Sequence, residues 1–312
     1  MKLLDPLFSW LLELSHVFSF SYIHQIPLKE NDIVKIDLGC HIDGYICVAA
    51  HTCVVPSAES ATPTKIDDET GRVAVAAYNA MLIAAKTVAA GSKNADVTTA
   101  VERVAKAYNV VPIASVRMHQ MKRYVLDGVK EVALKRPTAE EEQLPDCEFE
   151  QFEVYAVDVA MSTGDGNARP GGDLRTTIFK RNVENTYQLK IQAARQLIAE
   201  VDKNFPTVPF TLRHLHDVRK AKLGLSECVS HGLLAPYPVL HDHSGKVAHF
   251  KCTVLLLPSG TVRVTGLDLP EYFTTKQQLD EETARVLQEI EEEAVKKAAR
   301  KAAKKNKKKA GK

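Results

Sequence analysis

Four ionisable side chains stand inside otherwise apolar, strand-like runs of this 312-residue chain. Asp37 lies in "VKIDLGC", His119 just after "NVVPIAS", Asp158 in "YAVDVAM" and Lys251 in "AHFKCTVLLLP". A carboxylate, imidazole or ammonium in such a setting is costly unless it pairs, binds an ion or faces water. Each also has a plain structural reading. Asp37 reads as a turn-side hydrogen bonder, His119 as a satisfied core histidine, and Asp158 and Lys251 as charges on edge strands. Val48 falls roughly opposite Asp37 across the Asp43-Gly44 turn, and its isopropyl group can do no ionic chemistry.

Other motifs carry less. The glycine-rich "STGDGNARPGGD" precedes a strand rather than a helix, so no helix N-terminus would face a phosphate. "HDH" at 241–243 sits before Ser244-Gly245 in a turn and reads as solvated loop histidines. His214 and His216 fall at i,i+2 of a helical stretch and do not share a face. Six cysteines show no CxxC or Cys/His zinc spacing and suit a reducing compartment.

The elements that must position these groups follow from periodicity and turn chemistry. Residues 32–55 predict a hairpin about Asp43-Gly44. Residues 67–90 predict a long helix stopped by Gly91, with a second capped at or near Asp96. Thr138 and Glu141 form a capping-box pattern before a short acidic segment. A strand is expected over 152–164, a return strand over 173–181 and a helix over 185–203. Helical periodicity over 210–240 gives way to a proline-rich turn, and the lysine strand turns back through Pro258-Ser259-Gly260 into 260–269. A final helix from 277 grades into a flexible tail, with Glu292/Lys296 and Glu293/Lys297 as i,i+4 pairs. Strands and helices mix without βαβ regularity, so the fold class is α+β.

"KIDLGCHIDG", "EVYAVDVAMSTG", "LLAPYPVL" and "VAHFKCTVLLLP", in that order, resemble the pita-bread family, in its type 2 methionine aminopeptidase branch and that branch's non-catalytic, proliferation-associated members. The resemblance runs from about residue 27 to the tail. It implies two pseudo-symmetric halves around a curved sheet, a pita-bread domain over 26–275 with a helical insertion at about 190–245, and a C-terminal helix and lysine-rich tail over 276–312. Residues 1–25 do not match, so the domain is expected to be incomplete at its N-terminus, either as a natural truncation or because the natural start lies upstream of Met1.

Active members of that family hold two divalent cations with two Asp, a His and two Glu. Carried over by the resemblance, Asp37 stands at the first Asp position and Val48 at the second. His119 stands at the His, Asp158 at the first Glu and Lys251 at the second. Two of the five ligand types are lost and one becomes a cation. An ammonium about 4 Å from a divalent ion is repelled by roughly 8 kcal/mol at an effective dielectric near 20. The expectation is no metal, no cofactor and no catalytic residue, with Lys251 paired to Asp37 or Asp158 instead.

Charge distribution adds a second theme. Residues 296–312 hold ten Lys/Arg and no acid, which leaves 31 basic against 39 acidic residues, or −8, elsewhere. A cationic arm on an acidic body suits phosphate contact. The residues expected to touch RNA are Lys296, Lys297, Arg300, Lys301, Lys304, Lys305, Lys307, Lys308 and Lys309. The N-terminal segment is apolar but interrupted by Asp5, Pro6, Glu13 and His16, which makes a poor signal peptide and no membrane span. The sequence therefore suggests a pseudoenzyme that binds RNA and ribosomal particles. It would act in ribosome biogenesis, translation and growth control, in the cytoplasm and the nucleus or nucleolus, with protein partners also open. The alternatives are a divergent metallo-aminopeptidase that removes N-terminal methionine and an interaction adaptor without RNA binding.

Overall fold

The computed structural model describes the chain apart from residues 1–6, 15–16, 19–27, 58–63, 140–141, 171–175, 243–244 and 311–312. Its centre is a nine-stranded sheet built around a long hairpin, β2 (Ile33–Ile42) and β3 (Tyr45–Val54). Asp43 and Gly44 both adopt positive φ, 52° and 81°, as a two-residue primed turn requires. Short strands β4 (Val111–Pro112), β5 (Arg117–Met121) and β6 (Glu131–Ala133) follow, then the long β7 (Val154–Ser162). β1 (Leu7–Leu14) pairs with β2 at one edge.

Two helices cover one face. α1 (Glu69–Thr87) is capped by the Asp68 carboxylate, which accepts from the Thr70 and Gly71 amides. α2 (Asn94–Ala107) packs on α1, and Asp96 stabilises its start from the third helical position by accepting from the Lys93 amide at 2.9 Å. Alanines and valines on α1 pack against Phe250, Cys252, Val254 and Leu256, all at most 1% exposed. These four alternate along a long strand, Val247–Leu257, with Lys251 and His249 on the opposite face.

The chain between β7 and that strand builds a separate layer. β8 (Ile178–Arg181) joins β9 (Phe210–Thr211) and β10 (Leu234–Pro236) in a small sheet. The expected return strand over 173–181 is thus shorter and pairs away from β7; its residues 173–175 lie outside the described residues. α3 (Gln192–Asn204) and α4 (Val218–Ser230) pack on this sheet around Phe179, Leu197, Phe210 and Leu234. α3 starts later than the periodicity predicts because Glu227 accepts the Lys190 and Ile191 amides at 2.7 and 3.0 Å, which holds them outside a helix. His214 lies in a 3-10 turn, Leu212–His214, and His216 beyond it, so the predicted long helix over 210–240 is confined to α4.

α3 and α4 touch at Gly224. A Cβ there would stand 2.5 Å from the Ala194 backbone, so Gly224→Ala forces the helices apart. The expected loss is about 1–3 kcal/mol of stability, read by urea unfolding.

The lysine strand, β11 (Val247–Leu257), runs between β3 and β7 and turns into β12 (Gly260–Arg263). It is central, which overturns the plain reading of Lys251 as a solvated edge residue: Lys251 is 8% exposed. The sheet order is β1-β2-β3-β11-β7-β5-β6, with β12 on β11 and β4 on β7, every pair antiparallel. α5 (Glu281–Ala310) then runs along α1, tied by Arg103–Glu282 at 2.9 Å and Lys86–Glu293 at 2.6 Å. Of the two expected pairs, Glu292–Lys296 forms at 3.4 Å, while the Lys297 side chain lies outside the described residues and Glu293 makes a tertiary contact. The basic segment to Ala310 continues this helix instead of loosening into a flexible tail.

Candidate functional site

Register alone brings the charged strand residues together. Asp37 opposes Ala50, Ala50 opposes Lys251, and Lys251 opposes Asp158, so the four form one row across β2, β3, β11 and β7. Val48 opposes Gly39, two places along from the Asp37 pair on the same face. Asp37 and Lys251 are separated by a whole strand, about 10 Å of backbone spacing. Only the methyl of Ala50 stands between them, and the lysine side chain spans the gap.

Lys251 Nζ donates to Asp37 Oδ2 at 2.6 Å and lies 2.9 Å from Asp158 Oδ2. His249, two residues before Lys251 on the same face, places Nε2 2.6 Å from Asp158 Oδ1. The side chains of Lys251, Asp37 and Asp158 are 10%, 8% and 16% exposed, so this cluster is nearly dry. Burial by itself would raise the Asp158 carboxyl, but the Lys251 ammonium and His249 outweigh it and hold the group well below the usual carboxylate range. Burial would likewise lower Lys251, and the Asp158 and Asp37 charges with their hydrogen bonds hold it above the ordinary lysine value.

The row forms one wall of a cavity of about 480 Å³. Val48, Ala156 and Leu126 supply an apolar wall, continuous with a small cluster that includes Ile46 and Met121. Tyr237 and Pro238 contribute from beyond β10, where burial, as the first cause, pushes the Tyr237 hydroxyl up. His119 on β5 opposes Ala156 and faces the same cavity, 3.7 Å from Glu131. Arg117 holds Glu131 at 2.9 Å and Glu142 at 3.0 Å.

Asp37, Val48, His119, Asp158 and Lys251 thus all line one cavity. Sequence reasoning missed His249, although its position two residues from Lys251 was a usable signal, and missed Glu131 and Arg117. In the "HDH" stretch, Asp242 is buried at 1% exposed and accepts from Ser162 Oγ and the Gly166 amide, so it is a packing residue rather than a solvated turn. His243 lies outside the described residues. Thr138 keeps its place, but Glu141 of its capping box lies outside them too, and no helix follows over 142–150. The glycine-rich stretch is described as far as Pro170, and that part contains no helix.

Residues 18–138 match the model of metallopeptidase family M24. A protein from Solanum tuberosum named ERBB-3 binding protein 1 is 45% identical over 254 residues, covering 80% of this chain and 62% of its own length. The chain belongs to the M24 family, in its methionine aminopeptidase-like form. A second relative, the curved DNA-binding protein of Schizosaccharomyces pombe, is 37% identical over 249 residues, covering 80% of this chain and 64% of its own. The solved structure of a thermophilic Arx1 superposes with a TM-score of 0.79 at 26% identity, covering 91% of this chain and 83% of that one. The chain spans about three fifths of the length of the curated relatives it matches.

Membership of a metallopeptidase family raises the question of cation binding, and the residues present do not fit a pair of divalent ions. Two ions about 4 Å apart need shared carboxylate oxygens. Here an ammonium already lies within hydrogen-bond distance of both Asp37 and Asp158, and Val48 offers no donor atom.

Proposed function

We propose that this M24 protein is non-catalytic and binds RNA and ribosomal particles, acting in ribosome biogenesis, translation and growth control in the cytoplasm and nucleus or nucleolus. One observation carries the non-catalytic half. Lys251 is fixed between Asp37 and Asp158, where the family resemblance expects carboxylate chemistry, and Val48 and Lys251 replace two of the five ligand types. Asp37, Val48, His119, Asp158 and Lys251 are then a degenerate ligand set in which one ammonium pairs with both carboxylates.

The binding half rests on the cationic arm. Residues 296–310 carry nine of the ten Lys/Arg of the C-terminal run on a helical backbone. A row of cations on a regular backbone favours phosphate contact without base reading. The names of two relatives, an ERBB-3 binding protein and a curved DNA-binding protein, speak of binding rather than cleavage. In this reading residues 26–275 form the pita-bread domain, with its insertion at about 190–245, and 276–312 the arm.

The test pairs two measurements on the full chain. A ribosomal RNA fragment is expected to be retained in filter binding, and a methionyl peptide to stay uncleaved with added cobalt or manganese. Stoichiometric methionine release would restore the peptidase reading. Retention of partner proteins but no RNA would favour the adaptor.

A further inference from the structure

Cys40 and Cys47 stand directly opposite each other across the β2–β3 hairpin. Both are half-buried free thiols. They lie on the hairpin face away from the cavity, flanked by Ile42 and Tyr45, which are 56% and 67% exposed. A small reagent can therefore approach them. Directly opposed residues of antiparallel strands share a face, with Cα atoms about 4.5–5.5 Å apart. That lies within the roughly 4.4–6.8 Å a disulfide spans. Among the described strand pairs no other two cysteines face each other: Cys53 opposes Val34 and Cys252 opposes Val157.

The phase of the ladder sets what kind of bond this pair can make. The Val48 amide donates to Thr253 Oγ1 at 2.9 Å, and its carbonyl accepts from the Thr253 and Thr265 hydroxyls at 2.9 and 2.6 Å. Val48 therefore turns its backbone toward β11, and its neighbour Cys47 turns toward Cys40. Cys40–Cys47 is then a hydrogen-bonded pair, the wider of the two kinds. That spacing suits a disulfide, and a disulfide that is half-exposed, as both thiols are here, is readily reduced.

We infer that Cys40 and Cys47 form a reversible cross-strand disulfide when the chain meets a small disulfide oxidant of the oxidised glutathione class. The Cys47 thiolate attacks one sulfur of the oxidant, whose S–S bond breaks and releases one glutathione. The Cys40 thiolate then attacks Cys47 Sγ in the mixed disulfide, closing Sγ–Sγ and releasing the second glutathione. Two protein thiols are oxidised, one disulfide oxidant is reduced, and the two protons end on the two glutathione thiols. Burial, and then the neighbouring Cys47, push the Cys40 thiol up, so Cys40 is placed as the second, resolving thiol. The next register pair, Gly39–Val48, lines the cavity, so the bond staples a cavity wall.

The experiment titrates the full chain with oxidised against reduced glutathione, then blocks free thiols and digests without reduction. Trypsin alone leaves Cys40, Cys47 and Cys53 in one peptide, 36–65, so a second cleavage after Tyr45 separates the pair. The expected result is a linked Cys40–Cys47 product that forms while the other four cysteines stay blockable and reverses under excess reduced glutathione. Cys40→Ser and Cys47→Ser should each leave the remaining thiol carrying a single glutathione. Separate glutathione adducts on both cysteines of the unaltered chain, a link to Cys53, or no reaction at either thiol would overturn the inference.

Discussion

Replacing Lys251 with methionine is expected to lower the unfolding free energy by about 3–5 kcal/mol, the cost of stranding a buried carboxylate by removing its partner. Asp37 and Asp158 would stand at the two ends of the row with no ammonium between them, and His249 would still neighbour Asp158. The pH dependence distinguishes this from a simple loss of packing. Asp158 titrates below its unfolded value of about 3.9, so its contribution is present above that pH and fades as pH falls toward the folded value. Lys251 titrates above its unfolded value of about 10.4, so its contribution is present below that pH and is lost as pH climbs through the folded value. The deficit of Lys251→Met should therefore be largest across the neutral range and shrink below about pH 4, where Asp158, freed of the ammonium, can take up a proton. Guanidinium unfolding at pH 3 and pH 7 checks it. An equal deficit at both would mean that the lysine stem, rather than its charge, stabilises the sheet.

Removing residues 296–312 should have the largest effect on binding. If about five of the ten cations each neutralise a phosphate of single-stranded RNA, log affinity falls with log salt at a slope near −3.5. Between 50 and 200 mM salt that is a loss of about 100-fold for the full chain. The truncated chain should bind weakly at both salts and show a much flatter slope, read by fluorescence anisotropy on a labelled rRNA fragment. Its stability should change little, because the ties to the body, Arg103–Glu282 and Lys86–Glu293, lie before the cut. A salt-insensitive complex would place the binding surface elsewhere.

Much of the scaffold was legible because it depends on local chemistry. Asp43-Gly44 has the only residue pair in its run suited to two successive positive φ angles, so the hairpin could be read directly. The apolar run of α1 and the alternation in 248–258 were equally plain. What escaped depends on distant partners. The start of α3 is set by Glu227, 37 residues after Lys190, and the role of Glu293 by Lys86, 207 residues earlier. Lys251 and Asp37 are 214 residues apart, and nothing local fixes the register that puts Ala50 between them. His249 was within reach of a two-residue strand repeat, but a histidine beside Phe250 carries no mark of pairing with Asp158 until β7 is in place.

Ala50 ends up with more influence than its chemistry suggests. It donates nothing to the electrostatics, yet the ammonium of one strand reaches the carboxylate of the next but one only because this methyl leaves a corridor. A branched side chain there would close that corridor and separate Asp37 from its counterion without altering a single charge. The residue that decides whether the ammonium reaches Asp37 is an uncharged spacer, and substitutions at position 50 should matter as much as those at the charged positions themselves.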